Sequence, residues 1–142
     1  MNQHLTLSFP NGISVAIKRE DLIHPFVSGN KFRKLKYNLL QAANDKKDTL
    51  LTFGGAYSNH IAAVAYAGKE NGFQTIGIIS GEELESKMVD NTTLKFDQDC
   101  GMQFQFVTRA EYRHNQEIAF CDHFKNTYGN FYLIPEGGTN AL

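Results

Sequence analysis

The sequence is poor in the features that define metal-binding, secreted and membrane-spanning proteins. Its 142 residues include only two cysteines, Cys100 and Cys121, and neither belongs to a CxxC pair. We interpret both as reduced, partly buried thiols of a cytoplasmic protein. None of the five histidines forms an HExxH or another recognisable ligand pair, so we predict no metal site.

Charge and hydropathy argue against further classes of protein. The net charge is −1 at pH 7, so no basic surface predicts binding to nucleic acid or to a membrane. No apolar run approaches the roughly 20 residues that cross a bilayer. Residues 1–10 lack the charged and apolar regions of a secretion signal. With 42% hydrophobic and 20% charged residues, the composition is that of a soluble globular domain.

From Thr49 onward, short apolar runs alternate with stretches of helical periodicity. The predicted strands are Thr49–Phe53, Gln74–Ser80, Gln103–Val107 and Phe131–Ile134. The predicted helices between them are Ser58–Asn71, Asp90–Asp99 and Glu111–Asn126. Strands separated by helices of this length indicate right-handed βαβ units, and therefore an α/β fold with an open parallel sheet flanked by helices.

Both ends of the chain have a different pattern. Ile13–Arg19 alternates between apolar and polar residues and predicts a strand of a separate unit, which the loop Glu20–Ser28 joins to a helix at Asn30–Ala43. At the other end, residues 135–142 (PEGGTNAL) combine a glycine turn with a Thr/Asn cap, which are start signals for a helix. We therefore expect the chain to be a truncated part of a longer protein.

The first group of residues that suggests chemistry is the segment SGNKFRKL, residues 28–35. Asn30 is a good N-cap, which places Lys31 in the first helical turn, where the helix dipole opposes a protonated amine. Lys34 follows three residues later on the same face, and its charge also favours a neutral Lys31 amine. A neutral lysine is a nucleophile for carbonyl compounds. From spacing alone, however, a solvated basic helix start is the favoured interpretation.

The second group is the segment TFGGAYSNH, residues 52–60, in which a strand runs through two glycines into a helix. Backbone N–H groups at such a helix start bind anions, and ligands usually bind at this edge of a parallel sheet. Ser58, Asn59 and His60 are suited to grip a carboxylate and to supply a hydroxyl. An ordinary turn with a serine cap and an exposed histidine explains the same pattern equally well.

Taken together, three segments resemble one family of pyridoxal-phosphate (PLP) enzymes of fold type II. The family contains 1-aminocyclopropane-1-carboxylate (ACC) deaminases and D-cysteine desulfhydrases. The resembling segments are KREDLIHPFVSGNKFRKLKYNL, LLTFGGAYSNHIAAVAYAG and LIPEGGTNAL. The resemblance favours the functional interpretation of Lys31 over the solvated helix start.

The resemblance implies a role for each matched residue. Lys31 would bind PLP covalently, Lys34 would approach its phosphate, and Asn59 would hydrogen-bond its ring hydroxyl. Ser58 and His60 would meet the substrate carboxylate, with Ser58 as a nucleophile or proton carrier and Asn59 beside them in the substrate site. Tyr57 stands where many members have glutamine, which leaves the substrate preference open.

The resemblance also implies two α/β domains, of which this chain would hold the smaller one and an N-terminal segment of the larger one. Residues 1–33 would belong to the larger domain and residues 34–142 would form the smaller one, while the C-terminal half of the family would be absent. The implied activity is deamination of ACC to 2-oxobutanoate and ammonia. Enzymes with this activity are expected to be classed as hydrolases or lyases. The alternative is elimination of sulfide from D-cysteine, giving pyruvate and ammonia.

Two further hypotheses stay open at this point. In the first, the 142 residues form a catalytically inert α/β subdomain without bound PLP. In the second, they form a separate βαβ module that binds an anion at Ser58–His60. We expect the protein to act on a small amino acid and to form a homo-oligomer, a dimer, since exposed apolar patches seek partners.

Overall fold

The computed structural model describes residues 2–115 and 117–139. Its centre is a parallel four-stranded sheet with the order β5–β4–β3–β6. The strands are β3 (Thr49–Gly55), β4 (Gln74–Ser80), β5 (Gln103–Val107) and β6 (Phe131–Ile134). The predicted α/β fold with an open parallel sheet is confirmed, and three of the four predicted strands have the predicted bounds.

Helices cover both faces of the sheet. They are α1 (Gly29–Asn44), α2 (Asn59–Asn71), α3 (Thr92–Asp99), α4 (Arg109–Tyr112) and α5 (Ile118–Tyr128). Alternate residues of β3 point to opposite faces. Leu50 belongs to the core under α1, α2 and α3, whereas Leu51 and Phe53 belong to the core under α5. Burial on both faces explains why these strands are apolar without strict alternation.

The N-terminal segment lies apart from this sheet. Strand β1 (Asn2–His4) pairs with β2 (Ala16–Lys18) in an antiparallel two-stranded sheet, and all six residues are exposed. A short 3₁₀ turn at Glu20–Leu22 then leads towards α1. Arg33 of α1 forms an ion pair with Glu20 at 2.7 Å, which ties the helix to this segment.

Three predictions of local structure were wrong. The strand predicted at Ile13–Arg19 is only the three residues of β2. The helix predicted at Glu111–Asn126 is interrupted, because α4 ends at Tyr112 and α5 begins at Ile118. The N-cap of α1 is Ser28 rather than Asn30, and the Ser28 side chain makes no capping hydrogen bond. The helix begins at Gly29, whose φ of +59° favours glycine there.

Within the described part of the chain, no helix has the length and apolar character needed to cross a membrane. The same residues contain no cluster of three or more His, Cys, Asp or Glu side chains suited to a metal ion. The C-terminal helix start predicted from residues 135–142 lies in part outside the described residues, since these stop at Thr139.

Candidate active site

The two lysines of α1 reach across to the turn that follows β6. Lys31 donates a hydrogen bond from Nζ to the carbonyl oxygen of Gly137 at 3.3 Å. Lys34 donates from Nζ to Thr139 Oγ1 at 2.5 Å. Both lysines are half-buried. The first turn of α1 therefore presents two amines at the carboxyl end of the parallel sheet, where ligands of such sheets bind.

The environment of Lys31 favours its neutral form. Burial, and secondly the charge of Lys34, lower the pKa of the Lys31 amine. The repulsion from Lys34 was predicted from the spacing of the two lysines, but burial is the larger cause. A lowered pKa increases the fraction of neutral, nucleophilic amine at neutral pH.

The loop between β3 and α2 places the polar triplet at the same edge of the sheet. Ser58 is the N-cap of α2, and its Oγ accepts from the backbone N–H groups of His60 and Ile61 at 3.2 and 3.4 Å. Asn59, the first residue of α2, is exposed, as is Tyr57 in the loop. The hydroxyl proton of Ser58 remains available to a ligand, because both of these bonds use Oγ as an acceptor.

His60 is buried beneath this loop. Only 4% of His60 is exposed, so the simpler interpretation of this residue as an exposed histidine is wrong. Nε2 lies 2.8 Å from Oγ1 of Thr52 in β3. Burial, and then the charges of Lys31 and Lys34, lower the pKa of His60 to about 4. The imidazole is therefore neutral at pH 7 and close to both lysines.

The turn at Gly137 and Gly138 connects the two groups of residues. A Cβ added at Gly137 would lie 3.9 Å from Lys31 Nζ, and one added at Gly138 would lie 3.5 Å from both His60 Cε1 and Lys34 Cβ. Both glycines have positive φ, +74° and +72°, which favours glycine at each position. We call the group Lys31, Lys34, Ser58, Asn59, His60 and this turn the sheet-edge site.

A cavity of about 450 Å³ opens beside the turn. Its lining includes Phe53, Cys121, Leu133, Glu136 and Thr139. Thr139 is also the partner of Lys34, so the cavity adjoins the sheet-edge site and offers room for a small molecule there.

Two contributors to the site lie in segments already noted in the sequence, but neither was given a role there. Thr52 is two residues before Gly54-Gly55 and looks like any strand residue, because its partners His60 and Ile134 are brought to it only by the fold. The PEGG turn was recognised as a turn, but its contact with Lys31 spans 106 positions and has no local signal.

Known proteins resemble the chain over nearly its whole length. A Thermotoga maritima protein, provisionally named 1-aminocyclopropane-1-carboxylate deaminase, is 35% identical over 139 residues, which cover 96% of this chain and 43% of the relative. A bifunctional D-cysteine desulfhydrase/1-aminocyclopropane-1-carboxylate deaminase of Arabidopsis thaliana is 30% identical, over 94% of this chain and 35% of the relative. No protein-family model matches the chain.

Solved structures also resemble the chain over nearly its whole length. The crystal structure of an ACC deaminase homologue superposes with a TM-score of 0.70 at 30% identity, covering 97% of this chain and 42% of that one. An O-ureido-L-serine synthase, at 18% identity and a TM-score of 0.62 over 92% of this chain and 39% of its own, shares the fold.

With relatives 30–35% identical over at least 94% of its length, the chain belongs to the family of ACC deaminases and D-cysteine desulfhydrases. It spans less than half the length of the relatives it matches.

Proposed function

We propose that the protein provides the lysine-bearing part of a PLP-dependent enzyme that deaminates a small amino acid. The observation that carries this proposal is the half-buried Lys31 amine at the carboxyl edge of the sheet, with a lowered pKa and a second cation beside it. The relatives named ACC deaminase and D-cysteine desulfhydrase support the same reaction class. Their names give no support to the hydrolase class.

The residues of the sheet-edge site fit PLP. Lys31 would hold its aldehyde carbon covalently, the Lys34 ammonium would pair with its phosphate, and Asn59 would hydrogen-bond its ring hydroxyl. The buried Nδ1 of His60 has no hydrogen-bond partner among the described residues, as expected of a site built to receive a polar ligand. When bound, PLP supplies an electron sink for the charge left on the substrate carbon.

Each side chain of the site has a task of its own. Ser58 donates its hydroxyl proton to the substrate carboxylate, since its oxygen already accepts from two backbone N–H groups. As a proton carrier, Ser58 would pass its proton to the reacting carbon. As a nucleophile, it would instead give that proton to a base, for which the neutral Lys31 amine is available. The free amine of Lys31 takes the α-proton of D-cysteine, or returns a proton to a substrate carbon. ACC has no hydrogen on its α-carbon, so from ACC the proton taken is one of the ring methylene hydrogens.

The experiment that tests the proposal measures covalent attachment. PLP is added to the purified chain, its visible absorbance is recorded, and borohydride reduction fixes the attached group for peptide mapping. We expect the adduct on Lys31 and its loss in Lys31→Ala. Lys36→Ala is the control, because Lys36 is exposed on the same helix. An adduct that survives Lys31→Ala would contradict the proposal.

The reaction product separates the candidate functions. Release of 2-oxobutanoate from ACC identifies a deaminase, and release of pyruvate with sulfide from D-cysteine identifies a desulfhydrase, which the bifunctional Arabidopsis relative makes the second candidate. Because the chain spans 43% of its Thermotoga relative, a third candidate is an α/β subdomain without turnover. Absence of both products with the 142-residue chain would favour that candidate.

A further inference from the structure

A buried hydrogen-bond chain lies beneath the sheet-edge site. Thr52 is completely buried in β3. Its Oγ1 is 2.8 Å from the carbonyl oxygen of Ile134 and 2.8 Å from Nε2 of His60. A carbonyl oxygen can only accept, so the single hydroxyl proton of Thr52 is donated to Ile134. The Thr52 oxygen must then accept a hydrogen from Nε2 of His60.

This chain fixes the tautomer of the imidazole. A neutral histidine carries one N–H, and if that hydrogen is on Nε2, then Nδ1 is a lone-pair acceptor. Nδ1 of His60 is buried and has no partner among the described residues. The opposite tautomer would leave an N–H donor buried and unpaired close to two lysine cations, which is the less favourable arrangement.

We propose that Thr52 is a positioning residue that holds His60 in the Nε2–H tautomer, so that Nδ1 meets the ligand as a hydrogen-bond acceptor. The ligand must then present an N–H or O–H donor to His60. A carboxylate has no hydrogen to donate, and His60 is therefore not its partner. This differs from the carboxylate-binding role that the resemblance implies for His60.

Ser58 and His60 consequently divide the ligand between them. Ser58 has a hydroxyl hydrogen to give, whereas His60 has a lone pair to offer. An α-amino acid carries a carboxylate that accepts and an amine that donates, and it matches both side chains at once. This assignment of the amine to His60 rests on the proposed function, but the tautomer itself does not.

The tautomer can be observed directly in the 142-residue chain. Long-range ¹H–¹⁵N correlation spectra of the chain with ¹⁵N-labelled histidine show which ring nitrogen is protonated, and His60→Gln identifies the signal among the five histidines. We expect Nε2–H in the wild type and in Thr52→Ser, which keeps the hydroxyl. Thr52→Val removes the acceptor, so its His60 signal should shift towards the Nδ1–H form.

Two results would overturn the positioning role of Thr52. One is a wild-type signal with the hydrogen on Nδ1, which decides the question even if Thr52→Val does not fold. The other is a Thr52→Val spectrum identical to that of the wild type. Neither depends on PLP, so failure here is distinct from failure of the Lys31 adduct.

The acceptor role of Nδ1 is tested with D-alanine and propanoate, which differ by the amine. D-alanine should shift the Nδ1 resonance of His60 and propanoate should not. Thr52→Val should weaken D-alanine binding about fivefold to tenfold, as expected for one lost hydrogen bond, and Thr52→Ser should restore it. Equal shifts with the two probes, or no shift with D-alanine, would overturn the role assigned to Nδ1.

Discussion

At the scale of single residues, Asp97 stands out because its charge has no evident function. This residue of α3 has no exposed surface, and neither carboxylate oxygen has a hydrogen-bond partner among the described residues. Burial raises the pKa of Asp97 to about 7 from an ordinary value of 3.8. The carboxyl is thus protonated in the folded protein over a range in which it is ionised in the unfolded chain.

This difference makes the free energy of unfolding depend on pH. Below pH 3.8 the group is protonated in both states, whereas between pH 3.8 and about 7 only the folded state keeps the proton, so stability falls as pH rises. We expect a loss of about 1 kcal/mol per pH unit in this window. That loss is the contribution of Asp97 alone, because the lowered pKa of His60, about 4 against an ordinary 6.5, contributes a rise of similar size between those two values. Urea unfolding at several pH values should therefore show the Asp97 contribution as the difference between the wild type and Asp97→Asn.

Asp97→Asn should remove this contribution, because its amide does not titrate, so its free energy of unfolding should increase relative to that of the wild type as pH rises from 3.8 to about 7. Asp99→Asn is the matched control, since Asp99 is exposed on the same helix. The explanation fails if Asp97→Asn and Asp99→Asn have the same pH dependence of unfolding.

At the scale of secondary-structure elements, the two adjacent glycines that end β3 are under different packing constraints. A Cβ at Gly54 would lie 2.5 Å from Ile61 Cγ1 and 3.1 Å from Ser58 Oγ, whereas a Cβ at Gly55 would have no heavy atom within 4 Å. Gly54 is therefore where α2 packs against the end of the strand, and Gly55 is open to solvent.

Alanine substitutions should separate the two positions. Gly54→Ala should lower the free energy of unfolding by about 1–3 kcal/mol, because Ile61 and the N-cap Ser58 must move. Gly55→Ala should change it by less than about 0.5 kcal/mol. Urea denaturation of both variants gives the comparison, and equal losses would show that the close approach at Gly54 is not what limits this junction.

The elements differ in how far the sequence alone determines them. Strands such as β4 were predicted to the residue, because an apolar β-branched run between polar turns has a single interpretation. The helix predicted over Glu111–Asn126 was wrong, since the capping box of Thr108 and Glu111 starts a separate short helix. For the site, Lys31 and Ser58–His60 were predicted from short segments and stay predictions, whereas Thr52 is defined only by tertiary contacts.

At the scale of the whole molecule, stability is concentrated in the parallel sheet. Strand β3 is hydrogen-bonded to β4 and β6 on its two sides and is buried except at Gly55, whereas β1 and β2 pair over three exposed residues each. The boundary predicted after residue 33 falls inside α1 and stays a prediction.

Hydrogen exchange should reveal this distribution. Backbone amides of β3 and β4 should exchange most slowly, with protection that approaches the global free energy of unfolding, and those of β1 and β2 should exchange through local opening. Mass spectrometry or NMR on the native chain measures both sets. Equal protection of β1 and β3 would mean that the N-terminal segment folds as one cooperative unit with the sheet.

The contact between Lys31 and Gly137 joins positions that are 106 residues apart. It forms only when β6, the last strand in the sequence, has docked against β3, the first strand of the sheet. A small molecule that binds at this edge would therefore bind chains in which β6 is paired with β3, and would not bind chains in which this pairing has not yet formed. By mass action its presence would hold the completed sheet together, and supply of the ligand would thus influence how long each copy of the protein survives.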